Sequence, residues 1–267
     1  MRAALLAFAV VFASSTVMAR AEFYPASTPP PRSTDPSVLT EQGREREIHE
    51  RFNRGIAAQG RGEWEVAAAE FRRIIALDPP EPRGSTARYD LAISEAQLGR
   101  YDSAAALLGD ALHRDPRFAA AAANLVTVEL MRGDLGAARA AADRFVAIAP
   151  DAALARYGQG ITALRAGDLA TARDDFRALA EANPAYAVAH YDLALIELRA
   201  GHDDVALAEL DRALTLSPSY ARARFALGTV LLRDGRRGDA RVAFDRCARD
   251  AADPTLRALA IDLRDKL

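Results

Sequence analysis

Five prolines, Pro82, Pro116, Pro150, Pro184 and Pro218, stand 34 residues apart. Glycines keep the same interval at Gly99, Gly133, Gly167, Gly201 and Gly235. A chain that places helix-stopping residues on so regular a ruler is confined to repeat architectures, because every interval must hold the same small supersecondary unit. Counting back 37 residues from Gly99 and Pro116 reaches Gly62 and Pro79, so one more unit precedes, offset by the insertion Pro82-Arg83-Gly84. The six units are 48–81, 85–118, 119–152, 153–186, 187–220 and 221–254.

Within the 34 positions each recurring residue has a physical reading. Positions 1–14 form a first helix and glycine at 15 ends it, since glycine adopts the left-handed cap conformation at no steric cost. That position holds Gly62, Gly99, Gly133, Gly167, Gly201 and Gly235. A second helix follows from position 18 and is stopped by proline at 32, which lacks the N–H that a helix needs. In the last unit this place is Ala252, with Pro254 two residues on. Position 20 is alanine throughout: Ala67, Ala104, Ala138, Ala172, Ala206 and Ala240. Position 8 is small in five units (Gly55, Ala92, Gly160, Ala194, Gly228) and is Val126 in the third. Small residues at 8 and 20 let two helices approach, and larger ones at 24 (Phe71, Leu108, Phe176, Leu210, Phe244) fill the space beyond. The third unit inverts that order with Ala142 at 24 and Phe145 at 27, which conserves volume. The 61 alanines among 267 residues favour helix and leave little β-branched or aromatic content for a sheet.

The alternation of small residues at 8 and 20, a large one at 24 and proline at 32 resembles the tetratricopeptide repeat family. Leu91, Leu125, Leu193 and Leu227 hold the family's leucine at position 7, while positions 4 and 11 depart from its pattern, as at Arg88, Ala122, Glu95 and Ala163. The resemblance spans 48–254 and implies an all-α fold, an α-solenoid of six helix-turn-helix units. Residues 255–267 follow as a capping helix: Asp253-Pro254 reads as N-cap and first-turn proline, with Leu256, Leu259, Ala260, Leu263 and Leu267 on one face.

The N-terminus reads as an address. Met1-Arg2, the apolar run Ala3–Ala13 and the small-residue pattern Ala19-Arg20-Ala21 make up the layout of a secretory signal peptide over 1–21, cleaved after Ala21 or Ala19. The run is about half the length of a bilayer span, so a retained anchor is the lesser alternative. A periplasmic or secreted location is the expectation, with no permanent membrane span after cleavage. Residues 22–47 form a Pro-rich linker and lead-in, with Pro25, Pro29, Pro30, Pro31 and Pro36 interrupting regular structure.

The charges, 35 basic against 37 acidic, argue against nucleic acid as a partner. The lone Cys247, at position 27, permits no intramolecular disulfide and reads as core filler. Asp110, His113 and Asp115 are the nearest approach to a metal-binding cluster, but their spacing along one helix and its end favours a solvated face. No HExxH, GxSxG or P-loop is present, so no enzyme, no metal and no cofactor is expected.

What remains is surface. In the family the resemblance points to, positions 2, 5, 6, 9, 12 and 13 of the first helices face a concave groove. Position 5 carries Phe52, Tyr89, Tyr157, Tyr191 and Phe225, and position 13 carries Arg165, Arg199 and Arg233 in successive units. These residues form the candidate partner-binding groove, an aromatic floor beside an arginine row suited to a peptide with apolar anchors and acidic residues. The rival role for the position-5 aromatics is packing between repeats. Only Asn53 and Asn124 hold the family's clamp asparagine at position 6, and no lysine stands at 5, which disfavours capture of a carboxylate terminus. The resulting expectation is a non-catalytic scaffold for a protein or peptide partner in envelope assembly or secretion. The alternative is a subunit that binds envelope glycan or exported polysaccharide.

Overall fold

The computed structural model describes residues 36–267. The signal peptide expected at 1–21 and residues 22–35 of the linker lie outside them. Among the described residues there are thirteen helices and no strand, the all-α helical-repeat solenoid that the resemblance implies. No helix there is long and apolar enough to cross a membrane.

The chain divides into two compact bodies, with the boundary between Ala149 and Pro150. The N-terminal body holds α1 (Pro36–Gly60), α2 (Trp64–Ala76), α3 (Arg83–Gln97), α4 (Tyr101–Arg114), α5 (Ala119–Arg132) and α6 (Leu135–Ile148). The C-terminal body holds α7 (Ala153–Ala166), α8 (Leu169–Ala182), α9 (Ala187–Ala200), α10 (Asp203–Leu216), α11 (Ala221–Arg233), α12 (Arg237–Asp250) and α13 (Pro254–Asp265). Within each body every helix packs on its sequence neighbours.

The repeat grammar explains the turns. All six position-15 glycines have φ between +75° and +83°, the left-handed region in which a Cβ would be strained. The second helices begin at position 17, one residue earlier than expected. Asp134 and Asp168 cap α6 and α8 by accepting hydrogen bonds from the Ala137 and Thr171 amides at 2.9 and 3.0 Å.

Helix α1 begins at Pro36, twelve residues before the first unit, so the stretch 36–47 is helix rather than linker. Proline is favoured at a helix's first position, where its missing N–H leaves no bond unmade. The added turns are tied down by charge: Glu45 accepts from Arg83, and Glu47 pairs with Arg51 at 2.8 Å.

The core is built on one recurring exchange of volume between positions 8 and 24. A Cβ added at Gly55, Gly160 or Gly228 would stand 2.7–2.8 Å from the ring of Phe71, Phe176 or Phe244, so a phenylalanine at 24 requires glycine at 8. Leucine at 24 (Leu108, Leu210) goes with alanine at 8 (Ala92, Ala194), and alanine at 24 (Ala142) goes with Val126. All of these residues are buried. The six position-20 alanines are fully buried as well.

The capping helix has Asp253 as its N-cap, accepting from the Thr255 amide at 2.9 Å, with Pro254 in its first turn. Leu256, Ala260, Leu263 and Leu267 turn inward, but Leu259 is exposed, contrary to the single apolar face drawn from the sequence. At 3.6 residues per turn Leu259 falls outside the arc that the other four share.

Candidate functional site

The position-5 aromatics divide into two groups. Phe52, Tyr89 and Tyr157 are only 1, 6 and 3% exposed, so they are core and not an open floor. Phe52 meets Phe71 edge-on at 5.9 Å, and Tyr157 meets Phe176 at 5.8 Å. A large ring at this position reaches back between helices, where its area is better buried than left in water. Tyr191 and Phe225 are half-buried, with Phe225 resting edge-on against Phe244 at 5.5 Å.

A second aromatic that the sequence did not single out accompanies each position-5 tyrosine. Phe118, Tyr186 and Tyr220 stand at position 34, 29 residues after Tyr89, Tyr157 and Tyr191. Their ring centroids lie 5.0, 6.2 and 5.1 Å from those partners. A signal for them exists: wherever position 5 is tyrosine, position 34 of the same unit is aromatic.

Polar groups at position 6 complete the arrangement. In the N-terminal body the Asn124 amide donates to the Tyr89 hydroxyl at 3.0 Å. In the C-terminal body the Tyr157 hydroxyl donates to the carboxyl of Asp192, the corresponding residue one repeat on. Asp192 is 3% exposed, and its Oδ2 has no hydrogen-bond partner among the described residues. Burial pushes its carboxyl up to about 7, against the opposing effects of the Tyr157 hydrogen bond and the Arg222 charge. Burial, reinforced by Asp192, also raises Tyr186 and Tyr220, and raises Tyr191 to about 12.

This carboxyl makes stability depend on pH. Its folded pKa lies above the ordinary carboxylate value, so between about pH 4 and 7 the folded chain holds a proton that the unfolded chain has lost. Asp192 therefore stabilises the fold at low pH, and that contribution fades as pH rises through the window, by at most about 1.4 kcal/mol per unit. Denaturant unfolding across this range should show Asp192→Asn lacking that part of the slope and gaining on the parent as pH rises. Parallel profiles for the two proteins would contradict it.

The arginine row is unevenly available. Arg165 is half-buried and Arg199 exposed, while Arg233 is bound to Asp203 at 3.0 Å. Asp110, the first residue of the nearest approach to a metal cluster, is engaged by Arg88 and lies 3.8 Å from Arg114. His202 and His190 are bonded to Glu197 and Glu209, each at 2.7 Å. Cys247 is fully buried, its Sγ 3.2 Å from the Ala221 carbonyl, and burial pushes its thiol up to about 11, as befits core filler.

Comparison with known proteins agrees with this geometry. A family model described as tetratricopeptide repeat matches residues 52–108, 89–153, 124–187, 157–221 and 191–255, well over half of the chain. Among solved structures the chain is similar to TTC0263, a thermophilic TPR protein of Thermus thermophilus. The two share 25% identity and a TM-score of 0.55, over 67% of this chain and 98% of that one. It shares its fold with YrrB, a TPR protein with an unusual peptide-binding site, at 21% identity and a TM-score of 0.56, over 73% and 98% of the two chains. PilF of Pseudomonas aeruginosa has 16% identity and a TM-score of 0.63, over 82% and 99%. No curated protein sequence matches the chain.

Proposed function

The chain belongs to the tetratricopeptide repeat family, and on that premise we propose that it is a non-catalytic scaffold. It docks an acidic, apolar-anchored segment of a partner protein on the first-helix face of its C-terminal body. One observation carries the reading. At the groove positions of the last three repeats the side chains are aromatic, aliphatic or arginine apart from Gly158 and Thr229, and the one carboxylate among them, Asp192, is buried. Tyr191, Leu195, Leu198, Phe225 and Leu232 are half-buried and offer apolar contact. Arg165, Arg199 and Arg222 border them, which favours acidic partners by steering and by rejecting basic ones.

The N-terminal sequence pattern supports export, so the partner would be met in the cell envelope, in assembly or secretion. A polysaccharide ligand is the weaker reading, because Tyr157 is buried and leaves Tyr191 as the one position-5 tyrosine of this body open to stacking.

The test is cross-linking and affinity capture from envelope extract with three forms of the protein: the parent, Phe225→Ala/Tyr191→Ala, and Arg199→Glu. Partners held by this face should be lost from the double variant and weakened at least about tenfold by the charge reversal. Retention of every partner by both variants would rule the face out, and displacement of the partner by an acidic polysaccharide would favour the alternative.

A further inference from the structure

Arg222 stands at position 2 of the last repeat, on the proposed docking face. Its charge reaches the buried carboxyl of Asp192. The groups that face this carboxyl come from several elements: Tyr157 on α7, Tyr186 in the turn before α9, Tyr191 beside it on α9, Tyr220 before α11 and Arg222 on α11. Tyr157 supplies one hydrogen bond, and Oδ2 is left without any among the described residues. Arg222 is the cation whose charge acts on the carboxyl, yet it makes no bond to Oδ2 among the described residues.

That arrangement suits a neutral acid and not a charged one. A buried carboxylate with a vacant oxygen is costly unless a counter-charge reaches it. Arg222 is half-buried on a long flexible stem, and its planar fork fits a carboxylate well. We propose that Asp192 is a proton-operated gate on the docking face. While its carboxyl is protonated, Arg222 is presented to the partner; when the proton leaves, Arg222 turns inward to pair with the carboxylate and the face loses a positive charge. This rests on the docking face described above. The carboxyl, pushed up to about 7 by burial, changes charge near neutrality.

The probe is a fluorescent synthetic helix with leucines along one face and glutamates along its flanks. Its anisotropy is followed with full-length protein between about pH 5.5 and 8.5, where the probe's own carboxylates stay ionised. Affinity should fall about fivefold as pH rises. Asp192→Asn, which keeps all four histidines, should hold the high affinity at every pH, and Arg222→Gln should bind weakly and without the pH response. Equal pH dependence in the parent and Asp192→Asn would overturn the gate.

A second readout separates this failure from that of the docking face. In the free protein the Arg222 Nε–H resonance should move with the titration of Asp192 and stay fixed in Asp192→Asn. If the probe binds at no pH while that resonance moves, the docking face is wrong and the gate stands; a resonance that does not move removes the gate.

Discussion

Replacing Gly160 by valine is expected to destabilise the C-terminal body by about 3 kcal/mol, and Phe176→Ala by about 3–5 kcal/mol, yet the two together should cost far less than their sum. A single Cβ at Gly160 would already stand 2.8 Å from the Phe176 ring, and valine adds two further methyls. Alone, Phe176→Ala empties the space between α7 and α8. Together, the substitutions copy the pairing that the third repeat already uses, Val126 against Ala142, both fully buried. A coupling of more than about 2 kcal/mol is therefore expected between residues 16 apart in sequence. Denaturant unfolding with hydrogen exchange in α7 and α8 reads it, and strict additivity would show that positions 8 and 24 do not exchange volume. The third repeat also carries Phe145 at position 27, so the copy is incomplete and full recovery is not expected.

How far the sequence reaches follows from which contacts are local. The position-15 glycines, position-20 alanines and position-32 prolines act within one repeat, and the structure places each as its chemistry requires. The groove is harder to read, because position number fixes where Cβ points and not where a long ring ends. Phe52, Tyr89 and Tyr157 share a position with Tyr191 and Phe225, yet the first three are buried and the last two only half so. Asp192 shows the limit most plainly. As a lone aspartate on a helix it reads as surface, and its burial depends on tyrosines from three other segments converging on it. The beginning of α1 escapes the sequence for a different reason: Pro36 groups with the prolines that interrupt structure, although in first position it opens a helix.

The largest expected effect at the end of the chain concerns α13. Deleting residues 254–267 should cost the C-terminal body about 3 kcal/mol, the apolar area that Leu256, Ala260, Leu263 and Leu267 cover at about 25 cal/mol per Å². Leu263 and Leu267 pack on the group containing Leu231 and Phe244, and Leu256 on the group of Cys247, Ala248 and Ala260. The Arg264–Asp245 pair at 3.2 Å and the Arg257 bonds to the Ala251 carbonyl would go as well, though as surface contacts they add little. A repeat stack that loses its cap exposes the inner face of its last repeat, and the same face holds the chain's one cysteine. Cys247 therefore reports the loss directly. In the intact protein it is fully buried, and a thiol pushed up to about 11 carries little thiolate, so it should resist alkylation. In the truncated chain α12 loses its outer cover, and Cys247 should be labelled much faster at the same pH. The variant Leu263→Asp, which keeps α13 but places a charge against Leu231 and Phe244, should shift both readouts in the same direction by a smaller amount. An unreactive Cys247 and an unchanged unfolding midpoint in the truncated protein would mean that α13 rests on the last repeat without completing it.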